Sequence, residues 1–333
     1  IKQTNKAREV KMEYRRLGRT GVQVSEFGFG AGGIGKGWWG ETDDNLSVLA
    51  LTRALEFGVS FIDTAYAYGN GHSERLIARA FRQAGRRVCV ATKVPLKPAG
   101  WPPKPGVRAR EAFPADWIIE HTEQSLRNLE TDCLDVQQLH IWRAEWVVET
   151  EWQEAAQKLR QQGKIRFFGV SIMDHQPGSA LRLVRSGLAD TVQVIYNIFD
   201  QSPADVLFPL CQELDVGVIV RVPFDEGSLA GQLTPQTVFP QGSVQGYYYR
   251  GNRLRETCER VDRLRLLLPK GMTTLARLAL KFCLSYPAVS TVIPGMRRPE
   301  HVEANCAASD GKPLPPDMLS TLKSHAWARN FYE

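Results

Sequence analysis

Three polar residues end short apolar runs in this chain, and a tyrosine follows the first of them. Asp63 closes the run 59–63, Lys93 closes 88–93 and His140 closes 136–140, while Tyr68 stands five positions after Asp63 and just before Gly69. An ammonium at the end of a buried strand is costly to desolvate unless a carboxylate faces it. Asp63 is the candidate partner for Lys93. A phenol with an ordinary pKa of ~10 is a poor acid–base catalyst near neutrality, and a neighbouring ammonium lowers that value by favouring the phenolate. A neutral imidazole at His140 would donate one hydrogen bond to a carbonyl oxygen beside the Tyr68 hydroxyl. The set suits proton delivery coupled to a second chemical step. Taken singly, each residue has a plainer reading: Asp63 as a turn cap, Lys93 as a rim residue reaching solvent, His140 as a core histidine, Tyr68 as turn packing.

What favours the shared reading is the order of elements. Apolar runs rich in β-branched residues occur at 24–30, 59–63, 88–93, 136–140, 166–171, 191–196, 217–221 and 290–293. Segments with helical spacing alternate with them, at 44–57, 73–84, 114–129, 146–161, 177–186, 203–214, 254–286 and 299–308. Thr42 or Asp43 and Ser73 are the expected N-caps of the first two helices, and Gly163 the expected C-cap of the fourth. Eight strands alternating with helices predict an α/β fold, a (β/α)8 TIM barrel with long rim loops at 95–113 and 224–253. In such a barrel Asp63, Lys93, His140, Ser171, Gln193, Arg221 and Gly295 all fall at C-terminal strand ends, the rim on which barrel active sites are built. The expected organisation is a single domain over 13–333. Residues 1–12 read as an N-terminal extension, unstructured or foreign to the natural chain, with Met12 a candidate start.

Bulk properties narrow the class. The chain has 333 residues, 43% of them hydrophobic, and a formal net charge of +6 with both signs interspersed. Basic clusters at 82–87 and at Arg297–Arg298 are short and lack interleaved aromatics, so no nucleic-acid partner is expected. Cations aimed at a phosphorylated small molecule explain the excess equally well. The six cysteines show no metal-ligand spacing, which predicts no metal and a reducing compartment. No run approaches the ~20 apolar residues of a transmembrane helix, so a cytoplasmic protein without a membrane partner is expected. Trp38, Trp101 and Trp142 fall on expected rim loops, where sugar rings or flat aromatic substrates would stack. Arg143 would bind an anionic substrate group or pair with Glu145.

Asp63 and Tyr68 in DTAYAYG, Lys93 in ATKV and His140 in LH resemble the Asp–Tyr–Lys–His tetrad of the aldo-keto reductases. YRRLGRTG (14–21), GHSERLI (71–77), GVS (169–171) and IPGMRRPEHVEAN (293–305) resemble family segments in the same order. The resemblance implies NAD(P)(H) extended across the rim and hydride transfer between nicotinamide and an aldehyde, ketone or sugar derivative. Tyr68 would then be the general acid in reduction and the base in oxidation, tuned by Lys93 and Asp63, with His140 orienting the substrate. It further implies that Ser171 and Gln193 hold the carboxamide, although Ile172 stands where the family has asparagine, and that Arg221 stacks on the ring. Gly295, Arg297, Arg298, His301 and Asn305 would line the phosphate end, with His301 in place of a common arginine and Ala304 in place of a common acid. NADP(H) is expected ahead of NAD(H), and a monomer or small homo-oligomer is expected. An NADP(H)-binding regulatory subunit with this fold and little turnover is the alternative. A lyase using Lys93 as a Schiff base is disfavoured by the Asp63 pairing.

Overall fold

The computed structural model describes residues 12–37, 40–97 and 101–332. Its first element is a hairpin outside the barrel: β1 (Tyr14–Arg16) pairs antiparallel with β2 (Gln23–Ser25). The hairpin supplies Leu17 and Val24 to an apolar cluster with Phe61, Ala91, Val136, Ile219 and Ile293. Arg19 N–H donates to the Asp215 carbonyl just ahead of a barrel strand, so the hairpin seats at the N-terminal end of the barrel.

The barrel itself is β3 (Phe29–Gly30), β4 (Phe61–Asp63), β5 (Cys89–Val94), β6 (Leu134–Leu139), β7 (Ile165–Ser171), β8 (Thr191–Ile195), β9 (Gly217–Arg221) and β10 (Val289–Val292). All eight are parallel, in sequential order, and single bridges from Phe27 to Val292 and from Gly30 to Gly295 join the two edges. Strand periodicity divides the side chains. On β8, Val192 and Val194 enter the large core under the helices, whereas Gln193 reaches Asp63 inside the barrel.

Several expectations are corrected. The run 24–30 is two pieces, β2 in the hairpin and β3 in the barrel, because the chain crosses between them at Phe27–Gly28. The helix expected over 254–286 is two helices, Arg253–Arg265 and Leu275–Leu284. Pro269 and Gly271 (φ 88°) separate them, and Thr274 caps the second by accepting from Arg277 N–H. Asp43 caps its helix as expected, but Ser73 lies inside the second helix and donates instead to the Ala31 carbonyl. The helix expected over 146–161 is Glu151–Gln161, preceded by a separate 3-10 turn (Ala144–Val148); its C-cap is Gln162, with Gly163 following at φ 69°. Met12, placed in the extension, is buried in the main core; the rest of the extension lies outside the described residues. Among the described residues no helix is long and apolar enough to cross a membrane.

Candidate active site

Lys93 faces inward because it shares its side of β5 with Cys89 and Ala91, which belong to the inner cluster. Outward-facing Thr92 on the same strand donates to the buried Glu74 carboxylate at 2.6 Å, and Asn128 donates to the other Glu74 oxygen at 2.8 Å. The strand is thus braced from outside immediately beside Lys93. Inside, Lys93 Nζ lies 2.8 and 2.7 Å from the two Asp63 oxygens and 2.7 Å from the Thr64 carbonyl. The two side chains are 1% and 4% exposed, so an ion pair that water barely reaches is held by three acceptors around one ammonium. Gln193 Nε2 donates to Asp63 Oδ1 at 2.7 Å and supports the carboxylate from across the barrel.

Tyr68 is delivered by the turn after β4. Its N–H donates to the Ala65 carbonyl, and Gly69 follows at φ 69°. A Cβ at position 69 would lie 2.1 Å from the Gly35 carbonyl oxygen, so both the left-handed backbone and the close approach require glycine. Lys93 Nζ stands 5.2 Å from the Tyr68 ring centroid. The His140 ring meets Tyr68 edge-on at 5.6 Å, and Trp101 meets His140 from the other side at 5.5 Å. Tyr68, His140 and the half-exposed Trp101 therefore stand together beside the ion pair.

Electrostatics correct one expectation. Burial pushes the Tyr68 phenol above its ordinary pKa, outweighing the downward pull of Lys93; Asp63 adds to the rise and Arg221 opposes it. The phenol is thus held protonated. Burial, reinforced by Lys93 and Arg221, holds His140 well below 6.5, so the imidazole is neutral as expected. Below pH ~6.5 an unfolded His140 binds a proton that the folded one refuses, so stability must fall as pH drops through that range. Urea titrations between pH 5 and 6 should show this as a slope of about 1.4 kcal/mol per pH unit that His140→Gln removes; an unchanged slope would contradict the neutral assignment.

The remaining expected residues fall into two groups. Ser171 ends β7 in register with Gln193. Arg221 ends β9 and donates to Asp174 and to the Ile172 carbonyl, while its Nε is buried without a partner among the described residues. Ile172 itself is buried in the outer core and offers only that carbonyl. At the seam, Gly295 is exposed and bridges Gly30, and Arg297 lies over Gly33, its Nε 2.9 Å from where a Cβ there would sit. Arg298, the N-cap of the helix Pro299–Cys306, and His301 on that helix are exposed, whereas Asn305 is buried. Burial and the two arginines lower the His301 pKa, so it offers hydrogen bonds rather than charge.

Trp142 is a further correction. It is fully buried, edge-on to Trp146 and Trp152, and its indole N–H donates to the Ser179 carbonyl; no face is open to a substrate. Trp38 lies outside the described residues. Arg143 pairs with Glu145 and also ties the 95–113 loop through the Pro103 carbonyl.

Sequence reasoning missed a cluster beside Arg221. Tyr332 donates to Glu226, whose carboxyl is pushed up to about 7, chiefly by burial. Arg329 pairs with Asp225, with side chains 5% and 2% exposed. Tyr248 also donates to Asp225. Val222, Asp225 and Glu226 all have positive φ (54°, 48° and 53°), a strained backbone that the tail residues hold in place. The aromatic triplet 247–249 was the one available signal, and nothing local tied it to residues 329–332.

The eight-stranded parallel barrel thus carries an ion-paired lysine, a part-buried phenol and a neutral imidazole together at the C-terminal ends of its strands. The sequence profile of the aldo/keto reductase family matches residues 26–326, and the chain belongs to that family. Aldo-keto reductase YhdN of Bacillus subtilis is 30% identical over 298 residues, 88% of this chain and 87% of that protein. Among solved structures, an aldo-keto reductase from Bacillus halodurans in its holo form superposes with a TM-score of 0.76 at 28% identity, covering 97% of this chain and 100% of that one. An aldo/keto reductase from Klebsiella pneumoniae in complex with NADP and acetate gives 0.67 at 26% identity over 95% and 96%.

Proposed function

We propose that this family member is an NAD(P)(H)-dependent oxidoreductase acting on carbonyl or alcohol substrates, with Tyr68 as the proton donor in reduction and acceptor in oxidation. The observation that carries the reading is the buried Lys93–Asp63 pair beneath Tyr68 and His140. Bound nicotinamide would supply or take the hydride. The donor set fits such a cofactor. Gln193 spends its nitrogen on Asp63 and so presents its carbonyl oxygen as an acceptor, next to the Ser171 hydroxyl. Arg221 supplies a planar cation whose buried Nε–H has no partner among the described residues. Arg297, Arg298 and His301 sit at the phosphate end.

During reduction Tyr68 gives its proton to the carbonyl oxygen, and Lys93 and Arg221 stabilise the phenolate that remains. Asp63 faces the Lys93 ammonium with both oxygens and so offsets the cost of burying it. Neutral His140 donates to the same oxygen, and Trp101 borders the substrate opening. The site is furnished for a small carbonyl compound or a sugar derivative.

NADP(H) is proposed ahead of NAD(H) on the strength of Arg297 and Arg298. Replacing both with alanine is expected to weaken NADPH binding roughly 10–100-fold, the worth of one or two charge-assisted bonds, while NADH changes by less than about threefold. Fluorescence titration measures both, and an equal loss would remove the argument for NADP. The activity test is an assay of both cofactors in both directions against aldehydes, ketones and sugars. Tight cofactor binding with no turnover across that panel would favour the regulatory-subunit reading instead.

A further inference from the structure

The helix His72–Ala84 starts four residues after Tyr68 and is bound to it, since Ser73 N–H donates to the Tyr68 carbonyl at 3.2 Å. Its first turn directs two adjacent side chains at the sheet. Ser73 Oγ accepts from the Thr64 hydroxyl at 2.9 Å and donates to the Ala31 carbonyl at 3.1 Å. Glu74 accepts from the Thr92 hydroxyl at 2.6 Å and from Asn128 at 2.8 Å. Ser73, Glu74, Thr64 and Thr92 are all fully buried.

Both threonines adjoin the ion pair. Thr64 follows Asp63 and gives its carbonyl to Lys93 Nζ at 2.7 Å, and Thr92 precedes Lys93. One helical turn therefore holds Tyr68 by a backbone bond, the end of the Asp63 strand through Ser73 and the Lys93 strand through Glu74. Asn128 anchors the same turn from behind. A Cβ at Gly71 would lie 2.1 Å from its Nδ2, so this amide packs directly on the chain between Tyr68 and the helix.

Packing alone does not call for a carboxylate at position 74. Burying one costs free energy even when its oxygens are hydrogen-bonded, and both donors here are neutral. The first turn of a helix lowers that cost by favouring negative charge. Even so, apolar side chains at 74 and 92 would fill the same space at little loss. What the hydroxyl–carboxylate bond adds is direction. It fixes how far β5 stands from the turn that carries Tyr68, and Lys93 is the next residue on that strand.

We infer, on the reading that Tyr68 carries the proton, that Glu74 is a positioning residue for that transfer: through Thr92 it sets the Lys93 ammonium at its distance from the Tyr68 phenol. Two substitutions of Thr92 separate this role from support of the fold. Thr92→Val keeps the side-chain shape and removes the hydroxyl, whereas Thr92→Ser keeps the hydroxyl and removes a methyl. The kcat of carbonyl reduction is expected to fall roughly 10-fold in Thr92→Val, the scale of a small misplacement, and to stay within about twofold in Thr92→Ser. NADPH binding is expected to stay within about twofold in both. The alkaline limb of reduction should move to higher pH in Thr92→Val alone. There the ammonium draws back from the phenol, leaving it to Asp63, Arg221 and the neutral His140 ring.

Nitrogen-15 NMR of lysine-labelled full chain reads the pair without turnover. The Lys93 ammonium, held by three acceptors and identified by its absence in Lys93→Met, should give a signal protected from exchange in the parent and in Thr92→Ser. It should broaden in Thr92→Val. An unchanged signal in Thr92→Val overturns the positioning role, as does a kcat equal to the parent's or an equal loss of kcat in both variants. A parent that reduces no carbonyl compound defeats the reading of Tyr68 instead, and the role of Glu74 toward Lys93 then stands or falls on the ammonium signal.

Discussion

Tyr68→Phe is expected to reduce the kcat of carbonyl reduction by about 10²–10⁴-fold, the usual worth of a positioned general acid, while NADPH binding stays within about twofold. The substitution removes one oxygen and leaves the ring. The ring's contacts with Lys93 and His140 therefore survive, and so does the turn, which rests on backbone bonds and Gly69. What is lost is the proton. Because burial already holds the phenol protonated, the wild-type enzyme has its acid ready throughout the neutral range. Reduction should accordingly show no activity limb near neutrality, and the first loss should come on the alkaline side, as the phenol begins to ionise. Steady-state kinetics from pH 6 upward, paired with cofactor titration, measure both effects. Comparable turnover in the variant would remove Tyr68 from the mechanism and leave His140 as the candidate donor.

The barrel was legible because its inner and outer layers leave a strong mark. Runs such as 88–93 and 217–221 are apolar on both faces, as parallel strands covered by helices must be, and the polar residue ending each run is the one that emerges at the rim. The boundary between β2 and β3 was not legible. Val24 and Phe29 are equally apolar, and only their pairing partners, Arg15 for Val24 and Ile62 for Phe29, decide which belongs to the hairpin and which to the barrel.

Trp142 shows a second limit. Two positions beyond His140 a tryptophan reads as a rim residue, but the helical layer closes over that loop and Trp146 and Trp152 enclose it; tertiary packing, not local pattern, settled its exposure. The phenol's upward shift failed for a related reason. Proximity of Lys93 could be inferred from strand order, whereas the depth of burial that outweighs it could not. The same holds for Tyr332 and Glu226, which meet across 106 positions of sequence.

The ion pair makes the sharpest demand on stability. In Lys93→Met, Asp63 keeps the donor Gln193 but loses the ammonium that touched both its oxygens. A buried charge stripped of its partner destabilises by roughly 3–5 kcal/mol, and in a chain of this size that lowers Tm by about 4–7 °C. The loss should be largely reversed in the double variant Asp63→Asn/Lys93→Met. Neutralising both members removes the uncompensated charge, and an asparagine carbonyl still accepts from Gln193. Turnover should not return with stability, because both variants lack the Lys93 ammonium and leave only Arg221 to stabilise the phenolate. The two readouts thus separate what the pair does for the fold from what it does for the chemistry: calorimetry should rank the double variant well above Lys93→Met, while kcat should leave them alike and far below wild type. A double variant no more stable than Lys93→Met would show that the lysine stem, packed in the barrel interior, rather than its charge is what the fold needs. Recovered turnover in the double variant would show that Tyr68 works without the Lys93 ammonium beside it.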